Sequence, residues 1–281
     1  MNFLKRIVNF YVFSNIHVAL AGYSITKITL INFGLKQSLV PLFVGISIII
    51  SYNFIRYYEI KSNKLNWFKK WFYNNRKELL FLTLISVLIL AYITFFGDFN
   101  LSSIIVLFPF AFITFYYVIP IFKNKNTEFS FRNYPSLKIF SIAIAWAGIS
   151  VFFPLYEAGY IFDRSVYIEF VQRILIVLAI TIPFDIRDIE TDPDNLKTLP
   201  QVYGIKKSKI IGTVVLIAFC GLEILKIPFY KYNLVVIILI SIISGLFLWF
   251  SSPQKSRFYT GFWVESVPVI WLGLNLLFLK N

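Results

Sequence analysis

The chain has 281 residues, 58% of them hydrophobic and 15% charged, with a mean hydropathy of +0.73. This is far more apolar than a soluble domain, so the chain is read as an integral membrane protein. The net charge of +13 is scattered over the segments between apolar runs instead of forming one basic face, which argues for membrane topology and against nucleic acid as a partner. A single cysteine, Cys220, excludes an intramolecular disulfide, and one histidine, His17, excludes a histidine-based metal cluster.

Apolar runs that match the hydrocarbon thickness occur at 7–30, 37–57, 79–97, 103–122, 137–156, 165–184, 209–227, 233–251 and 262–279, which predicts about nine transmembrane helices. The runs are continuous and do not alternate apolar with polar residues, so helices are expected and a β-barrel is not. Nothing resembling a small-residue cleavage site separates from the first run, so no cleaved signal peptide is expected. Asn15 and His17 lie inside that first run, where polar side chains are costly and turn toward the bundle interior.

The second run ends in Tyr52-Asn53-Phe54-Ile55-Arg56-Tyr57-Tyr58-Glu59-Ile60-Lys61, followed by a basic loop at 61–77. The fourth ends in Tyr116-Tyr117-Val118-Ile119-Pro120-Ile121-Phe122-Lys123. The sixth runs into Asp185, Asp188, Glu190, Asp192 and Asp194, an acidic cluster in a chain that otherwise avoids charge. A helix continuing through it would put Asp185, Asp188 and Asp192, at i, i+3 and i+7, within an arc of about 60°. Two carboxylates about 4 Å apart repel by about 4 kcal/mol at an effective dielectric near 20, so such a face needs a cation. Mg²⁺ suits it, being a hard ion that takes one or two carboxylates and substrate phosphates. Arg187 and Glu190 fall on another face and are expected to pair.

If the spans alternate, most basic residues collect on one side, in the loops around 61–77, 123–138, 187–209 and 255–257. That asymmetry predicts a cytoplasmic N-terminus, with the acidic cluster in the cytoplasm as well. No linker or low-complexity tract divides the chain, so one membrane domain over 1–281 is expected. A faint repeat lays Phe54–Lys61 on Asp185–Asp192, with Ile-Arg and Glu in register, and suggests two related halves, roughly 1–125 and 135–281.

These residues resemble the UbiA superfamily of intramembrane prenyltransferases, nine-helix proteins whose second aspartate-rich motif reads D-x-x-D-x-x-x-D with a basic residue and Thr-Leu-Pro shortly after. Asp185, Asp188 and Asp192, then Lys197-Thr198-Leu199-Pro200, fit that pattern. The resemblance implies an all-α bundle that moves a polyprenyl group from its diphosphate to an aromatic or other lipid-soluble acceptor, with Mg²⁺ held by Asp185, Asp188 and Asp192. It also implies that Lys123 and Lys197 meet the diphosphate, with Tyr117 beside them. The family's first motif, N-D-x-x-D-x-x-x-D or N-x-x-x-D-x-x-x-D, keeps only Asn53 here. Arg56 and Lys61 are then expected to neutralise phosphate directly in place of one metal. The implied setting is the cell inner membrane, with the site facing the cytoplasm and membrane lipids around the bundle. Two other readings use the same residues: a degenerate member that binds a polyprenyl phosphate or a partner protein without transfer, and a transporter.

Overall fold

The computed structural model describes residues 3–36, 39–61, 66–97, 99–100, 102–124, 127–134, 137–193 and 196–278, without side-chain detail at 66–67, 123–124, 127–128 and 133. The protein is an all-α membrane bundle with one short hairpin. Among the described residues, six helical segments are long and apolar enough to cross a membrane, at 39–61, 76–96, 137–157, 164–187, 231–249 and 259–278, and the apolar helix Ser103–Val118 is shorter. Ile16–Asn32 and Leu199–Glu223 occupy the places of the first and seventh expected spans.

The first expected span is broken. α1, Phe3–Phe13, stops at Ser14 and Asn15, and α2, Ile16–Asn32, starts afresh. Asn15 has φ 67°, the left-handed region that asparagine tolerates better than most residues, and its side-chain amide donates to Asn53 at 2.8 Å. α3, Leu39–Lys61, runs straight through the segment that the sequence placed at a span end, and packs on α2. The basic loop after it carries α4, Asn66–Asn74, before α5, Arg76–Phe96. After α6, Ser103–Val118, strands β1 (Phe122–Asn124) and β2 (Thr127–Phe129) pair antiparallel, and a turn of 3₁₀ helix at Phe131–Asn133 leads to α7, Leu137–Ala147. A π-helical stretch, Gly148–Phe152, joins α7 to α8, Phe153–Glu157. Gly148 is required there because a Cβ would lie 2.0 Å from the Phe110 ring.

α9, Arg164–Arg187, crosses the centre of the bundle between α7 and α10, Leu199–Glu223, and α11, Lys231–Trp249, and α12, Val267–Phe278, complete it. The main core lies among Ile25, Ile28, Ala143, Ile176, Val177, Phe219, Val236, Ile240 and Trp271, all buried. At the N-terminal end of α9 lies a buried charged cluster in which each acid has a cationic partner. Glu169 meets Arg173 and Lys226, each at 2.5 Å, and Glu223 meets Lys226 at 2.8 Å and Gln172 at 3.0 Å. The Arg173 guanidinium also lies over Trp271, 4.6 Å from the ring centroid. Burial of charge is tolerated there because each acid has its cation, so the cluster fixes how α9 sits against α10.

Candidate active site

A cavity of about 600 Å³ opens between α2, α3, α6, α7, α9 and the π-helical turn Tyr259–Val264 that precedes α12. Its deep part is apolar, lined by Ile25, Val44, Ile48, Trp146, Ile149 and Val177. Its other end is charged: Arg56, Arg132, Lys138, Arg187 and Arg257 face Glu59, Asp185, Asp188, Asp192 and Glu265. An amphiphile with a charged head and an apolar tail matches that polarity.

The acidic segment does not continue the helix. α9 ends at Arg187, and Asp188 is its C-cap with φ −92° and ψ 6°. The chain then turns, with the Thr191 and Asp192 amides donating to the Asp188 carbonyl at 2.9 and 2.7 Å. The stop precedes Pro193: Asp188 already leaves the helical region, and Pro193 then keeps Asp192 from resuming a helix. Asp185, Asp188 and Asp192 nevertheless all line the cavity, brought together by the turn in place of one helical face. Gln201 holds that turn in place: its side-chain amide donates to the Asp192 and Pro193 carbonyls, each at 3.2 Å, while its oxygen accepts from the Thr198 amide at 2.9 Å. Thr198-Leu199-Pro200-Gln201 therefore makes the first turn of α10, where threonine before proline is a favoured start.

Carboxylates at the C-terminal end of a helix oppose the helix dipole and need cations. Lys138, in the first turn of α7, supplies one, donating to Asp185 at 2.9 Å and to Asp192 at 3.0 Å. Arg187 pairs with Asp188 at 2.8 and 2.5 Å and donates to the Thr260 hydroxyl, so the expected Arg187–Glu190 pair does not form, and Glu190 is exposed. Arg257 approaches Asp188 at 3.5 Å. Burial pushes the Asp188 carboxyl up, but the Arg187 hydrogen bond and the charges of Arg187, Arg257 and Lys138 outweigh it and hold the carboxyl below its ordinary value. Across the mouth, Glu59 is buried and pairs with Arg56, at 3.4 Å, and with Arg132. Burial, with the charge of Arg56 adding to it, pulls Arg132 down to about 10 against the opposing pull of Asp192 and Asp188.

The other expected site residues divide. Tyr117 and Arg56 line the cavity, and Arg56 also lies over Phe68 at 5.8 Å. Asn53 is not among the lining residues: its oxygen accepts from Asn15 and its nitrogen donates to Thr83 at 3.0 Å. Lys61, at the end of α3, and Lys197, with φ 45°, are both exposed and off the cavity wall. The side chain of Lys123 lies outside the described residues. Lys138, Arg132, Arg257, Glu59 and Glu265 were not singled out from sequence. Lys138 is 47 residues from Asp185 and 54 from Asp192, so no local spacing pointed to the pair. Its one sequence signal was a charge at the start of an apolar run.

Among the described residues no three carboxylate, histidine or cysteine side chains are grouped to hold a metal ion. Asp185 and Asp192 share a lysine and Asp188 is held by two arginines, so the arrangement fits organic cations and not Mg²⁺.

Neither a protein-family model nor a curated protein sequence matches the chain significantly. One solved structure, described as digeranylgeranylglyceryl phosphate synthase in membranes, superposes on 98% of this chain and 97% of its own, with a TM-score of 0.52 and 18% sequence identity. The chain shares the fold of that membrane protein over almost the whole length of both.

Proposed function

We propose that the chain is a membrane-embedded prenyltransferase of the UbiA type. The observation that carries this is a cavity that joins an end bearing five cationic side chains, each facing carboxylates, to an apolar interior at the other. The synthase whose fold the chain shares belongs to the same superfamily and supports prenyl transfer in general. In this reading the diphosphate of a polyprenyl donor sits among Arg56, Arg132, Lys138, Arg187 and Arg257, with the Tyr117 hydroxyl on the same wall and the isoprenoid tail against Ile48, Ile149 and Val177. The C1–O bond breaks, the electron pair leaves on pyrophosphate, and cationic character at C1 is taken up by a nucleophile of a lipid-soluble acceptor, which loses a proton. The cations stabilise the charge that develops on the leaving group, and the cavity orients the two substrates. Asp185 and Asp192 hold Lys138 at the mouth, Asp188 holds Arg187 and Arg257, and Glu59 holds Arg56 and Arg132. Mg²⁺, expected from the resemblance, enters at Asp185 and Asp192 only where Lys138 gives way; Lys197, Lys61 and Asn53 act from outside the lining, and Lys123 is kept as a diphosphate contact on the resemblance alone.

The charged mouth is placed on the cytoplasmic side, the orientation that the basic loops favour. Maleimide labelling of Glu190→Cys in a Cys220→Ser background tests this: labelling from the opposite face defeats it.

The activity is tested with purified protein, labelled prenyl diphosphates of several lengths and a panel of lipid-soluble aromatic and alcohol acceptors. Release of pyrophosphate with transfer of label to an acceptor is expected. A second reading, a binder without transfer, is favoured by the end of α3, which brings Arg56 and Glu59 to the cavity where the family carries aspartates. Retention of donor with no pyrophosphate release under any condition decides for the binder.

A further inference from the structure

We infer that Lys138 is a built-in cation taking the place of a divalent metal between Asp185 and Asp192, so that this site takes up a diphosphate without Mg²⁺. The inference rests on the reading of the cavity as a diphosphate site. It starts from a pair of misplaced charges. Asp185 stands in the last turn of α9, against the negative pole of that helix, and Lys138 stands in the first turn of α7, against the positive pole of that one. Each is unfavourable alone, and each is offset by the other across 2.9 Å, with Asp192 at 3.0 Å completing the triad. Such a conflict with local preference is expected at functional sites. The lysine meets two carboxylates, the number Mg²⁺ commonly takes from a protein. An ammonium has three donors, and Asp185 and Asp192 use two, which leaves one for a phosphate oxygen. The Asp185 and Lys138 side chains are 7% and 19% exposed, so the pair is shielded enough to resist displacement by solvent ions. Arg187 and Arg257 do the same for Asp188.

Two probes test this on the full-length protein in detergent: Mn²⁺ alone, followed by electron paramagnetic resonance, and inorganic pyrophosphate, followed by calorimetry in EDTA and in Mg²⁺. The parent is expected to bind pyrophosphate in EDTA, with less than about a threefold gain from Mg²⁺, and to bind little Mn²⁺ at this site. Lys138→Met frees two carboxylates: it should lose about tenfold or more in EDTA, regain affinity in Mg²⁺, and acquire a Mn²⁺ signal that a further Asp192→Asn removes. Lys138→Arg keeps the cation and should bind in EDTA as the parent does. If Lys138→Met does not fold, the parent decides the matter together with Asp192→Asn. Tight Mn²⁺ binding by the parent that Asp192→Asn abolishes overturns the inference, as does a Lys138→Met protein that binds pyrophosphate in EDTA like the parent. Failure of prenyl transfer with every donor would count against the proposed activity and leave the Mn²⁺ result standing. Absence of pyrophosphate binding under every condition removes both.

Discussion

The ends of α3 and α9 can be laid on one another residue for residue, yet they do opposite work at the cavity mouth. Ile55-Arg56 and Ile186-Arg187 align, and both arginines line the cavity. Beyond them the two diverge: α3 stays helical to Lys61, while α9 stops at Arg187 and turns at Asp188. The turn gathers three aspartates around the cavity, whereas the straight helix carries Tyr57 and Lys61 outward to exposed positions. The aligned glutamates differ in the same way, Glu59 being buried between two arginines and Glu190 exposed. Equal letters in two aligned segments therefore do not mean equal environments, because whether the helix continues decides which side chains turn inward.

Substituting the two glutamates breaks this comparison most sharply. Glu59→Gln leaves Arg56 and Arg132 without their buried acid and should cost about 3 kcal/mol, the scale of a broken buried ion pair. Glu190→Gln removes an exposed charge and should stay within about 0.5 kcal/mol. Thermal unfolding of both variants in one detergent measures the difference. Equal losses would mean that the two helix ends are alike after all.

A second pair of substitutions separates the cations at the end of α3. Arg56→Ala should weaken pyrophosphate binding by about tenfold, since a charged contact to phosphate is lost from the cavity wall. Lys61→Ala should change it by less than about twofold, because its ammonium is exposed and screened. Titration calorimetry of the three proteins reads this directly. A larger effect at Lys61 than at Arg56 would return Lys61 to the site.

Much of the bundle was legible in the sequence because hydropathy over some twenty residues reports the bilayer, whatever packs where. The places where it failed are local. Asn15 breaks the first span through a left-handed backbone angle, and an isolated asparagine in an apolar run does not announce that. The three aspartates were legible as residues and as a group, but the expected helix through them was not what gathered them. The helix ends at Arg187, five residues ahead of the residue that Pro193 restricts, and Gln201 holds the turn that follows. Lys138 was illegible for another reason: its partners are far along the chain, and a basic residue at the start of a span is explained by topology alone. Lys61 and Lys197 lie off the cavity wall, since nearness in sequence to a motif does not by itself bring a flexible side chain into a cavity.

The smallest expected effect concerns acid. Asp188 is held below its ordinary value, with burial opposing and Arg187, Arg257 and Lys138 prevailing. A carboxyl with a lowered value in the folded protein binds protons more readily when unfolded, so it contributes stability that is fully present above its unfolded value near 3.9. That contribution is lost as pH falls through the lower, folded value. Melting temperature followed from pH 6 downward should therefore decline below about pH 4 in the parent. Asp188→Asn should start lower and decline less over the same range, because the amide has no proton to gain. Glu190→Gln, from the exposed position on the same turn, should follow the parent's curve. If Asp188→Asn falls as steeply as the parent, the acid sensitivity belongs to other carboxylates, and the pairing of Asp188 with Arg187 and Arg257 contributes nothing to stability. If Glu190→Gln flattens the curve as much as Asp188→Asn does, the contrast between the paired and the exposed acid on the turn after α9 fails as well.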